Sequence, residues 1–85
     1  MKQVWKFTIH PDDGVTEMPI GAEPLSVAFQ GEDLVMWALV DIDAPTCGRH
    51  FIVRGTGHNI RLDNLVFIGT AFTGALVFHH VFEIN

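Results

Sequence analysis

Residues 25–41, which read LSVAFQGEDLVMWALVD, carry the signal that decides the fold class. In the first part of this stretch every second residue is Leu, Val or Phe, which is the pattern of a strand with one buried face. A tight acidic turn at residues 31–33 leads into residues 34–41, which are apolar on both faces, as in a central or interface strand. The stretch therefore predicts two neighbouring strands, at about 25–30 and about 34–41.

Similar runs rich in Val, Ile, Phe, Trp and Thr recur along the rest of the chain, separated by turn signals such as Thr73-Gly74. This spacing is typical of an all-β sandwich or barrel. We predict one domain over residues 1–85, a small antiparallel β-sandwich or barrel of about six strands. The other four strands are predicted at about 3–10, 49–55, 64–71 and 75–84.

The segment from about 11 to 24 differs from the rest of the chain. It opens on the turn signal Pro11-Asp12-Asp13-Gly14, and Pro19 and Pro24 exclude a regular helix or a central strand there. We expect a long loop that serves as a lid, a binding loop or an oligomer contact.

The composition describes a small, acidic and unusually apolar chain. It has 85 residues, of which 48% are hydrophobic, a mean hydropathy of +0.29 and a net charge of −5. The apolar surplus predicts self-association, so we expect a homo-oligomer. With only five Lys and Arg, the chain lacks the basic footprint of a protein that grips DNA or RNA polymers.

The same sequence predicts a cytoplasmic protein with no membrane partner. Cys47 is the only cysteine, which excludes an intrachain disulfide. The first ten residues contain neither a long apolar segment nor a small-residue cleavage site, so we expect no signal peptide. The most apolar run, residues 65–78, is too short to span a bilayer.

The stretch Arg54-Gly55-Thr56-Gly57-His58-Asn59 is the strongest candidate for a binding site. Glycines allow a ligand to approach the main chain closely, and successive N–H groups in such a turn can hold an anion. Arg54, Thr56 and His58 could add donors to a phosphate. The alternative is a β-turn whose glycines serve geometry alone.

The two tryptophans have different expected roles. Trp5 alternates with polar residues together with Phe7 and Ile9, so we expect it to pack in the core. Trp37 lies in the strand with two apolar faces, where an indole turned away from the core can stack on a nucleobase, worth roughly 1–3 kcal/mol per base. Core packing is the alternative for Trp37 as well.

Lys6 and His79 are candidate supporting donors. Each lies on a predicted strand, and the alternative for each is an ordinary solvent-facing side chain.

The histidines and Cys47 do not form a recognisable metal or catalytic pattern. Cys47 and His50 have a ligand-like spacing, but His79 and His80 are neighbours on a predicted strand and point to opposite faces, so they cannot easily serve one metal. No elbow motif surrounds the single serine. We therefore expect no catalytic residues, no metal and no cofactor, and a zinc or cysteine enzyme is only a third hypothesis.

Several short motifs also occur together in one order. They are Trp5-Lys6, Glu17-Met18-Pro19, Gly21-Ala22-Glu23, Trp37-Ala38-Leu39-Val40-Asp41, Gly55-Thr56-Gly57-His58, Ile68-Gly69-Thr70 and Gly74-Ala75-Leu76-Val77-Phe78-His79. In this combination, over nearly its whole length, the chain resembles a widespread family of very small phage and prophage proteins. It is similar to the all-β nucleotide sponges of the anti-CBASS type, through which phages sequester cyclic nucleotide signals of bacterial defence. The resemblance implies that the chain binds a cyclic di- or oligonucleotide without hydrolysing it, as an oligomer with ligand sites near subunit contacts.

The sequence thus predicts a non-enzymatic protein that sequesters a cyclic nucleotide and blocks host anti-phage signalling. The predicted ligand residues are Trp37 on a base, Arg54, Thr56, Gly57 and His58 on the phosphate side, and Lys6 and His79 as supporting donors. The alternative is a small β-sandwich that binds a protein partner through its apolar strands, as an inhibitor or assembly factor, with no small ligand.

Overall fold

Two facing β-sheets make up the computed structural model, which describes residues 1–10 and 14–85. Its seven strands are β1 (Lys2–Thr8), β2 (Val15–Pro19), β3 (Glu23–Gln30), β4 (Asp33–Asp41), β5 (Thr46–Gly55), β6 (Leu65–Phe72) and β7 (Phe78–Ile84). One sheet has the order β1-β4-β3 and the other the order β2-β5-β7-β6, with every pair antiparallel. The predicted all-β sandwich is confirmed. Across the described ranges, no helix is long and apolar enough to cross a membrane.

The predicted hairpin is present as β3 and β4, which pair from Gln30 opposite Asp33 onward. β4 is the central strand of its sheet, as its two apolar faces indicated. One face supplies core residues such as Met36 and Ala38, and the residue between them, Trp37, points to the outside of the sandwich.

The core lies between the two sheets. Its buried members are Ile9, Met18, Ala22, Leu34, Met36, Ala38, Val40, Phe51, Ala71 and Val81. On β7 the inward-facing positions are His79, Val81 and Glu83, because Val81 is fully buried and the side chains of a strand alternate. The polar side chains of His79 and Glu83 therefore lie at opposite ends of one core strand.

The segment predicted as a long loop contains strand β2, so that prediction is wrong. β2 ends at Pro19 and lies at the edge of its sheet, where it pairs with β5 alone. Pro24 likewise lies in an edge strand, β3. Proline is tolerated on an edge strand because its missing N–H can face away from the partner strand. Residues 11–13 of the predicted Pro-Asp-Asp-Gly turn lie outside the described residues.

The prediction that Trp5 packs in the core is also wrong. Of the surface of Trp5, 38% is exposed, whereas Ile9 is buried and Phe7 packs against the core. The reason is position: β1 is an edge strand that pairs with β4 alone. The Trp5 indole donates a hydrogen bond to the Gln3 side chain at 2.9 Å and contacts Phe7 at 6.4 Å between ring centroids.

The outside of β6 and β7 carries an aromatic face, which we define as Phe67, Phe72, Phe78 and Phe82. Phe67 contacts Phe82, and Phe72 contacts Phe78, each with ring centroids 5.5 Å apart. Phe67 and Phe72 are each 57% exposed. Glu83 is the only acidic residue in β5, β6 and β7, and it points inward, so this face carries no carboxylate from these three strands.

Candidate functional site

The glycine-rich turn after β5 forms one wall of the candidate site. The His58 N–H donates to the Gly55 carbonyl at 3.1 Å and closes the turn. Gly57 has a φ of 85°, a conformation that non-glycine residues rarely adopt. A Cβ atom on Gly55 would lie 2.8 Å from Cε1 of His58, so glycine is required there for the imidazole to lie against the strand end.

The connection between β6 and β7 forms the facing wall. The Leu76 N–H donates to the Thr73 carbonyl at 2.9 Å, and the Thr73 N–H donates to the Val77 carbonyl at 3.1 Å. Leu76 itself has a φ of 59°, which costs a non-glycine residue about 1–2 kcal/mol. Backbone strain of this kind is concentrated at functional sites, and here it lies at the mouth of a cavity.

Between these walls lies a cavity of about 480 Å³. It is lined by Val53, Gly55, Thr56, His58, Leu76, Val77, Phe78 and His79. Pockets for small organic ligands usually occupy about 300–1,000 Å³ and combine apolar walls with a few polar groups. This cavity has the size and the lining of such a pocket, and we call it the end pocket.

His79 also lines a second cavity, of about 250 Å³. That cavity is lined by Thr8, Ile9, His10, Phe29, Glu32, Asp33, Leu34 and His79. The His79 ring meets Phe29 edge-on, with centroids 5.0 Å apart, and its Nδ1 lies 3.3 Å from the Val77 carbonyl oxygen. The ring thus contacts β3 of the other sheet and the connection that precedes its own strand.

His80 points the other way, as strand alternation predicted. Its Nε2 lies 2.7 Å from the Thr56 hydroxyl and its Nδ1 lies 2.9 Å from the Thr70 hydroxyl. His80 therefore ties the glycine-rich turn to β6. The sequence did not indicate this role, because residues that hydrogen-bond across strands cannot be paired before the register is known.

The structure brings together three of the seven predicted ligand residues: Thr56, His58 and His79 line the end pocket. Gly57 is in the turn but does not line the cavity. Arg54 does not line it either, and its Nη1 donates to the neighbouring Val53 carbonyl at 3.0 Å.

Trp37 and Lys6 lie elsewhere. They are directly opposite each other on β4 and β1, on the outer face of the three-stranded sheet, and Lys6 Nζ donates to the Gln30 side chain at 2.8 Å. Trp37 points outward because its neighbours Met36 and Ala38 are fully buried. One chain therefore does not bring Trp37 and Lys6 to the turn residues, and the seven do not form a single site within it.

The far end of β7 holds an ion pair that the sequence did not reveal. Arg49 and Glu83 form two hydrogen bonds of 2.7 Å, their side chains are only 20% and 14% exposed, and Arg49 also donates to the Ala22 carbonyl. The hydrogen bond with Glu83 raises the pKa of Arg49 above its ordinary value, against a smaller opposing effect of burial. The two side chains are paired with each other at the end of β7 away from the end pocket, and we interpret the pair as a structural element.

No metal site is evident in residues 1–10 and 14–85, where no three His, Cys, Asp or Glu side chains are grouped closely enough to hold an ion. Cys47, which lies near the start of β5, is at the opposite end of that strand from the end pocket.

Comparison with known proteins gives one family. The model of a domain of unknown function, DUF7352, matches residues 1–85. The chain belongs to this family. No curated protein and no solved structure matches it.

Proposed function

We propose that the chain is a non-enzymatic binding protein that takes up a cyclic nucleotide in the end pocket, acts in the cytoplasm and sequesters the nucleotide from its effector. The observation that carries this proposal is the cavity of about 480 Å³, whose lining includes Thr56, His58 and His79 from the sequence-based set. Its apolar walls and few polar groups suit a nucleotide-sized organic ligand.

The position of the pocket also fits a site near a subunit contact. Phe78 lines the end pocket and belongs to the aromatic face. A second copy of the chain on that face would border the pocket and could cover the part of a ligand that one chain leaves exposed. Trp37 and Lys6 could reach the ligand only from another copy.

The test is thermal stability against a panel of cyclic di- and trinucleotides, with mononucleotides as controls. A ligand that binds only the folded state, at 100 times its dissociation constant, adds about 2.7 kcal/mol to the free energy of unfolding. We expect a selective stabilisation, with the ligand recovered intact after denaturation. A flat panel at saturating concentration contradicts the proposal, and a recovered ligand that has been cleaved contradicts the non-enzymatic part of it.

A second candidate function, a protein-interaction module, is favoured by the aromatic face. On this proposal, the aromatic face binds a second copy of the chain. The chain has a net charge of −5, so two copies repel each other least where carboxylates are few. Strands β5, β6 and β7 contribute no carboxylate to their outer face, and Glu17 of the neighbouring strand β2 approaches it only at Gly48 of β5. Phe67, Phe72 and Phe78, which are 57%, 57% and 42% exposed, provide apolar area on this face.

This candidate is tested by the oligomeric state over a range of protein concentrations, measured by analytical ultracentrifugation. Phe67→Ser should dissociate the oligomer, whereas Val4→Ser, which changes an equally exposed residue of the other sheet, should not. If the protein is monomeric at all concentrations, the aromatic face does not bind a second copy of the chain. A different protein that binds in a stoichiometric complex to the native chain and not to Phe67→Ser would then be the partner of this face.

A further inference from the structure

We infer that the end pocket binds the uncharged hydrogen-bonding edge of a planar heterocycle, a nucleobase, and not a phosphate group. The inference rests on the proposed function, since it names the part of the nucleotide that this pocket receives. It reverses the role that the sequence suggested for the glycine-rich turn.

The end pocket lacks a fixed positive charge for a phosphate, because none of the described residues that line it is Lys or Arg. Several groups of the turn also have partners within the chain. The Gly55 N–H donates to Nδ1 of His58 at 3.3 Å, the His58 N–H donates to the Gly55 carbonyl at 3.1 Å, and the Thr56 hydroxyl lies 2.7 Å from Nε2 of His80. A dianion would therefore enter a site with no cation to receive it.

The two imidazoles of the pocket are held in opposite tautomers. Nδ1 of His58 accepts a hydrogen from the Gly55 N–H, so in the neutral ring the proton is on Nε2, which is a donor. Nδ1 of His79 faces the Val77 carbonyl, which can only accept, so the proton is on Nδ1 and Nε2 is an acceptor. Nε2 of His79 makes no hydrogen bond to any described residue.

The pocket thus offers one donor and one acceptor between apolar walls. Each nucleobase presents donors and acceptors side by side on its edge, and its flat faces are apolar. Val53, Leu76 and Val77 contribute aliphatic surface to the walls, and Phe78 contributes an aromatic ring. A heterocycle that accepts from His58 and donates to His79 uses both groups without burying a charge.

The experiment measures binding by isothermal titration calorimetry at pH 8.0. The probes are adenosine, guanosine and uridine, which carry no phosphate, pyrophosphate, which carries no base, and one cyclic dinucleotide. We expect at least one nucleoside and the cyclic dinucleotide to bind, and pyrophosphate not to bind.

The variant for this test is His79→Phe, which keeps an aromatic ring beside Phe29 and removes the acceptor. It should lose at least tenfold in nucleoside affinity, and His50→Phe, an exposed histidine outside the pocket, should bind as the native chain does. The unfolding midpoint of each variant without ligand confirms that it is folded. If His79→Phe is unfolded, His79→Leu replaces it, with the same expected loss, because Leu also removes the acceptor.

The outcomes separate the inference from the function on which it rests. If the cyclic dinucleotide and pyrophosphate bind and no nucleoside binds, the base assignment is overturned and the proposed function stands. Binding of none of the probes overturns both.

Discussion

Each end of the inward face of β7 carries a polar side chain, and the surroundings of the two side chains differ. At one end Glu83 is met by Arg49 in two hydrogen bonds of 2.7 Å. At the other end His79 lines two cavities, with one ring nitrogen turned to a backbone carbonyl and the other without a partner among the described residues.

We interpret the paired end of β7 as contributing to stability and the unpaired end as contributing to ligand binding. A buried charge that is fully paired within the chain makes no contact with a ligand, and removing its partner leaves an unpaired charge in the core. A polar group beside a cavity retains a hydrogen-bonding direction that a ligand can use. Substitutions at the Glu83 end should therefore change the free energy of unfolding, and substitutions at the His79 end should change affinity.

The largest effect is expected for Glu83→Ala. It leaves the Arg49 side chain, which is only 20% exposed, without its carboxylate partner, and we expect a loss of about 3 kcal/mol in the free energy of unfolding. Urea denaturation measures this loss. The matched control is the double variant Arg49→Met, Glu83→Leu, which removes both charges and should recover most of the stability. A single variant as stable as the native chain would show that this end does not stabilise the fold.

The next effect is expected for His79→Phe, at the open end. We expect a tenfold or larger loss of nucleotide affinity, about 1.4 kcal/mol, because the acceptor is lost. The free energy of unfolding should change by less than about 1 kcal/mol, since an aromatic contact with Phe29 can be kept. Calorimetry and urea denaturation on the same sample give both numbers. A variant that loses stability but not affinity would show that His79, like Glu83, contributes to stability and not to binding.

A smaller effect of opposite sign is expected for Leu76→Gly. Relief of the left-handed backbone should raise the free energy of unfolding by up to about 1 kcal/mol, with part of the gain offset by the greater freedom of glycine in the unfolded chain. Leu76→Ala keeps the strain and removes the same wall of the pocket, so it serves as the control. Both variants should bind the ligand less well, and only Leu76→Gly should be more stable in urea.

The smallest effect is expected for Arg54→Ala. Its guanidinium bonds to the adjacent carbonyl and does not line the end pocket, so stability and nucleotide affinity should each change by no more than about 0.5 kcal/mol. A large loss of affinity in the calorimeter would restore the phosphate-binding role that the sequence suggested for this residue.

Much of the fold could be predicted from the sequence, because alternation is a local property. The six predicted strands are present, and β4 is central as its two apolar faces indicated. Strand β2 was not predicted because Pro19 and Pro24 indicate a loop, and the edge position that tolerates Pro19 depends on the whole sheet. The exposure of Trp5 has the same origin: alternation gives the face of a residue but not whether another sheet covers it.

The site was predictable only in part, for a related reason. The turn that holds Thr56 and His58 is a local signal, and His79 lies beside it through the register of β5 with β7. Trp37 and Lys6 were included for their chemistry, and only the arrangement of the sheets shows that they face away. The pairing of Arg49 with Glu83 joins residues 34 positions apart and has no local signal.

His79 has one more consequence for anyone who redesigns this chain. It lines both the cavity of about 480 Å³ and the cavity of about 250 Å³. The two cavities therefore cannot be resized independently at this position. A substitution that makes room for a bulkier ligand in the first cavity also changes the lining of the second, which includes Glu32 and Asp33.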